Sequence, residues 1–166
     1  MLGTIGSLVA DSSTSTGLKW AAGGKLLQVV NATYSTQTSS TSGTFADTGL
    51  TASITPSATS SKILVLVNIQ GVSRNSTNSS GIHLKLLRGA TTIQNMGDAN
   101  GFSNSALWSF DSVGSTCLDS PNTTSSTTYK VQFAQIAPVA GTVYVQGLQS
   151  VSNSAESSIT LMEIGA

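Results

Sequence analysis

Charge is the scarcest feature of this chain. Only 8% of its 166 residues are charged, and seven basic side chains cancel seven acidic ones. Ordinary soluble proteins carry about 25%. Lys19, Lys25, Lys62, Arg74, Lys85, Arg88 and Lys130 are scattered too thinly to form a basic patch, so phosphate-neutralising contact with nucleic acid is not expected. There is one cysteine, Cys117, and therefore no intrachain disulfide framework. No apolar run approaches the roughly 20 residues of a membrane helix, so membrane insertion is not expected either. MLGTIGSLVA at the start has no basic stretch and too short an apolar run for a signal peptide. Apolar residues at helical spacing are missing as well.

Hydroxyls take the place of charge. Serine and threonine make up roughly a third of the residues. Such a bias fits either a disordered stalk or a β-protein that faces water with hydroxyls. A hydrophobic content of 39% and a mean hydropathy of +0.14 favour the β-protein. Thr and Val are β-branched and suit strands.

Short strand candidates follow one another between Gly, Ser, Asn and Pro clusters. They are 26–35, 50–54, 62–72, 81–89, 91–96, 105–114, 127–136, 141–149 and 157–165. The third opens with five apolar residues in a row, which predicts cover on both faces. In GIHLKLLRG, Ile82, Leu84 and Leu86 face one way and His83 and Lys85 the other. Tyr129, Val131 and Phe133 share a side, as do Val143 and Val145. With no helix to cover them, such sheets must bury their faces on each other. The predicted fold is all-β, an antiparallel, jelly-roll-like β-sandwich assembled as a trimer. Residues 1–25 read as an N-terminal extension and 26–166 as the sandwich domain. Segments 71–81, 95–104 and 111–126 read as polar loops, where contacts with other molecules usually fall.

Catalytic chemistry is hard to assemble. His83 has no nucleophile or orienting carboxylate marked by motif, and Cys117 lies in a predicted loop 34 positions on. No G-x-S-x-G elbow or phosphate-cradling glycine loop occurs. Asp98, Asp111 and Asp119 lack D-x-D spacing, which leaves calcium without an evident cage. The chain is expected to be no enzyme and to carry neither metal nor cofactor. Glu163 on the last strand fits equally a lysine pair or a subunit contact. For a bound sugar, the candidate contacts are Phe102 and Trp108 with Asp98, Asn100 and Asn104 near them. Because Trp108 lies on a predicted strand, a core position is the favoured reading for it. Arg74 and Asn75, at the head of a polar loop, form a second candidate. Tyr129, Phe133 and Tyr144 on the late strands are the expected trimer interface, because one sandwich core uses one face of each sheet and leftover apolar surface wants a partner.

VADSSTSTGLKWAA resembles the linker just before the terminal domains of bacteriophage tail-fibre proteins. FADTGLTASITPSATSSKILVLVNI resembles the first sheet strands of those domains, and CLDSPNTTSSTTYKVQFA and SSITLMEIGA their closing strands. The resemblance implies a homotrimeric β-sandwich knob on the surface of a virion. It implies other virion proteins as partners, and either a fibre tip that binds host-surface carbohydrate or a decoration protein that stabilises capsid or tail. In that frame the N-terminal stretch is a docking segment, with Leu18, Lys19 and Trp20 as its contacts.

Overall fold

The computed structural model describes residues 8–10, 18–20, 24–76, 80–103, 109–136, 141–147 and 155–165, with side chains at 8–10, 18–20, 76, 99–103 and 109–111 outside the description. Twelve strands and no helix occur among these residues. β1 (Leu8–Ala10) and β2 (Leu18–Trp20) pair with each other, Leu8 opposite Trp20. The segment expected as an extended lead-in thus contains one arm of an antiparallel ladder.

The remaining strands form two sheets. The first holds β5 (Ala46–Ile54), β10 (Thr127–Ile136), β7 (Ser80–Arg88) and β8 (Thr91–Ser103) in that order. The second runs β3 (Lys25–Tyr34), β12 (Ser157–Gly165), β6 (Lys62–Ser76), β11 (Gly141–Val145) and β4 (Thr38–Ser40), with β9 (Ser109–Asp119) on the other edge of β6. Every ladder is antiparallel.

Alternation explains how the sheets meet. Ile63, Val65, Val67 and Ile69 of β6 point inward with Ile159 and Leu161 of β12. They face Leu50 and Ile54 of β5, Ile82, Leu84 and Leu86 of β7, and Tyr129, Val131 and Phe133 of β10. Burying each large side chain contributes about 1.5–3 kcal/mol before entropy is counted. The result is an antiparallel β-sandwich.

Four expectations need correction. First, the supposed loops are largely strand. β6 runs on to Ser76 and β8 on to Ser103, while β9 occupies 109–119. Bulges carry the first two: registers shift between Ile69 and Val72 on β6 and at several points between β7 and β8. An extra residue in a strand breaks the two-residue period, so polar, glycine-bearing strand reads as loop. Second, β4 was not foreseen; its three residues are too few to show a period. Third, the run 62–67 is not covered on both faces, because Leu66 is 36% exposed. Fourth, Tyr129, Phe133 and Tyr144 are buried inside this chain, the first two completely. Tyr129 and Phe133 fill its own core, and Tyr144, 6% exposed between the inward Val143 and Val145, offers little surface for a trimer contact.

Gly71 shows how the long strand turns. Its φ is +61°, and a Cβ there would lie 2.5 Å from the Gly147 nitrogen. The close approach lets Gln146 N donate to Gln70 O at 2.9 Å, which ties the end of β11 to the bulge. β6 then passes from its ladder with β12 to its ladder with β11.

Candidate functional site: the outer face of the six-stranded sheet

The two outward faces of the sandwich differ in kind. On the four-stranded sheet the exposed outward side chains are polar, although Leu87 and Ala134 lie buried among them. Lys130 Nζ and Gln132 Nε2 reach the Asp47 carboxylate at 3.0 and 2.7 Å. Burial alone would raise the Asp47 pKa, but bonds from Gln132 and Lys130 overcome it and hold the group below the usual carboxylate value. Nearby, Lys85 Nζ stands 3.8 Å over the Phe45 ring, and His83 stacks on that ring at 6.2 Å.

The six-stranded sheet is the reverse. The large hydrophobic side chains exposed among the described residues are Leu26, Leu27, Val29, Leu66 and Leu118, and all five belong to this sheet. Register aligns them. Val29 sits opposite Met162, Met162 opposite Leu64, and Leu64 opposite Leu118. One apolar row therefore crosses β3, β12, β6 and β9. The adjoining row is Asn31, Thr160, Leu66 and Thr116, and the next is Thr33, Ser158, Asn68 and Gly114. Gly114 has no side chain, and beside it an open trough of about 570 Å³ runs along Leu66, Asn68, Thr116, Ser158 and Thr160.

Charge lies beneath these faces in two places. Glu163, fully buried, faces the core from β12. Its Oε1 accepts from Ser57 N at 2.7 Å and Ser57 Oγ at 2.6 Å, and its Oε2 from Gln28 Nε2 at 2.6 Å. Burial pushes this carboxyl up, but the Ser57 and Gln28 bonds outweigh it and hold the pKa at about 2. Ser61, close beside it, adds to the same effect although its buried Oγ completes no hydrogen bond. Among the described residues the partners of Glu163 are thus Ser57 and Gln28 and not a lysine. At the other place, Asp119 of β9 accepts from Arg88 Nη1 at 2.7 Å and from Tyr129 Oη at 2.7 Å. This joins the two sheets. Burial, then the Asp119 carboxylate, pushes the Tyr129 phenol far above its usual value.

The sugar-contact candidates do not gather. Asp98 is exposed on β8 of the four-stranded sheet, and Asn75 is exposed on β6 of the other. Arg74 is only 1% exposed, beside Val143 across the β6–β11 ladder, so it is no solvent-facing ligand. Asn100 and Phe102 lie on β8 with side chains outside the described residues, and Asn104 and Trp108 lie outside them altogether. Leu18, Lys19 and Trp20 form β2, again without described side chains. His83 and Cys117 are on different sheets. Among the described residues, no three His, Cys, Asp or Glu converge as a metal group would. The residues missed were Val29, Leu64, Leu118 and Met162. The signal for Leu64 and Leu118 was present in KILVLV and TCLD, where alternate apolar residues must point away from the core once their neighbours point into it.

No family model matches the chain. No curated protein matches it either. Among solved structures it is similar to the infectious bursal disease virus VP2 subviral particle, with a TM-score of 0.46 and 10% identity over 96% of this chain and 46% of that one. T=1 particles derived from infectious bursal virus give 0.46 and 13% identity, covering 98% of this chain and 42% of that one. The Gx strain of infectious bursal disease virus gives 0.43 and 9%, with 96% and 45% covered. This chain spans less than half the length of those chains. Scores and identities this low carry nothing about function.

Proposed function

We propose that the chain is a non-enzymatic structural protein of a bacteriophage, a homotrimeric β-sandwich knob on the particle surface. The observation that carries this reading is the continuous apolar row on the outer face of the six-stranded sheet. Scattered exposed leucines are normal on a soluble domain, but an aligned row of them marks a surface meant for contact. The resemblance of the linker, first strands and closing strands to tail-fibre ends supplies the kind of assembly.

The knob works as a fibre tip that binds carbohydrate on the host surface. The polar four-stranded face offers the required chemistry. Phe45 supplies a ring, and His83, Lys85, Asp47, Lys130 and Gln132 supply hydrogen-bonding groups around it. A second reading, decoration of the capsid or tail, draws on the β1–β2 pair ahead of the sandwich, which provides a separate element with which to grip a shell.

Antibody labelling of whole particles under the electron microscope separates these readings. A fibre tip is labelled at the ends of fibres, and the purified chain then blocks adsorption to host cells. A decoration protein is labelled on the shell, and particles lacking it adsorb normally but lose resistance to heat. A chain found on no particle contradicts both.

A further inference from the structure

We infer that the outer face of the six-stranded sheet is where this chain binds further copies of itself. The assignment of the face rests on the described residues alone; only the number of copies rests on the proposed trimer.

The first argument is the row Val29–Met162–Leu64–Leu118. It is continuous across four strands and turned away from the core. Leu118 is 56% exposed and Val29 50%. Leu26 and Leu27 prolong the apolar surface at the start of β3. Nothing comparable occurs among the described residues of the four-stranded sheet.

The second argument is charge. Beside the row and along the trough the described residues are hydroxyls and amides without charge: Asn31, Thr160, Thr116, Ser158 and Asn68. Lys62 lies at one end, its Nζ 3.4 Å from Ser120 Oγ. A charged partner would find nothing here to pair with. A second copy of this net-neutral chain meets no repulsion.

Relief and size give the third argument. The apolar row and the depression beside Gly114 lie on the same face, so one copy carries both an apolar strip and a trough for a second copy to meet. Four strands about 4.8 Å apart and three rows about 7 Å apart make a flat footprint of roughly 400 Å², about half of the roughly 800 Å² per partner of a stable interface. A small ligand would leave most of this surface wet.

Sedimentation equilibrium of the full chain tests the inference, with Leu64→Lys/Leu118→Lys compared to the parent. Both side chains point outward, and circular dichroism checks that the variant keeps its sheet signal. The milder Leu118→Glu serves if the double variant does not fold. The parent is expected to assemble and the variant to sediment as one chain at the same loading. A parent that stays a single chain at every concentration overturns both this inference and the trimer. A parent trimer that the variants leave intact overturns the face alone. A parent dimer lost in the variants supports the face and contradicts the trimer.

Discussion

Glu163 shows at the residue scale how a nearly charge-free chain uses the charge it has. A carboxylate in a core is costly unless its oxygens are satisfied. Here Ser57 and Gln28 satisfy them and thereby pin β3 and the 55–61 segment to β12. The sign of the pH effect follows from a pKa of about 2 against an ordinary 4.5. The stabilisation is full above the unfolded value and drains away as the pH falls from about 4.5 to about 2. Glu163→Gln should be less stable at pH 7 and should flatten that part of the acid profile. Thermal unfolding across pH 2–7 reads both. An unchanged acid limb would assign the acid loss to other carboxylates. Tyr129→Phe removes only the bond to Asp119, while Arg88 still holds the carboxylate. A loss of about 2 kcal/mol in urea unfolding is expected. Neither cluster was legible in the sequence, because both join residues more than thirty positions apart or across sheets, and no local period records such a meeting.

Elements were legible in proportion to their regularity. Strands 127–136 and 157–165 have the predicted limits, since both alternate without interruption. The turn at Gly89, with a φ of +57°, falls at the boundary between the predicted strands 81–89 and 91–96. Reading failed where bulges interrupt the period, in the latter halves of β6 and β8, and three polar strand segments passed for binding loops. The two glycines offer a test of why the bulge needs its residue. Gly71→Ala must accept both a left-handed φ and a Cβ 2.5 Å from backbone, and should cost about 1–3 kcal/mol. Gly89→Ala carries a similar φ but meets nothing within 4 Å, so its cost should be smaller. Equal losses in urea unfolding would mean that crowding at the bulge is unimportant.

For the molecule as a whole, the leftover apolar surface foreseen in the sequence exists, but on the opposite sheet from Tyr129 and Phe133. Tyr129 and Phe133 are large and aromatic, and large aromatics fill cores before they make interfaces. The outward leucines of β6 were hidden in a run that suggested burial on both sides, and Leu118 of β9 in a segment that read as a polar loop. The central claim is that this face is covered when the chain assembles. Oxidative footprinting tests it most directly, because Met162 lies in the apolar row while Met96 packs against the core of the same chain. With exposure to hydroxyl radicals at high and low protein concentration, Met162 should oxidise several-fold more slowly at the high concentration, and Met96 equally at both. Equal rates for Met162 at both concentrations, with the chain assembled in one of them, would contradict the account.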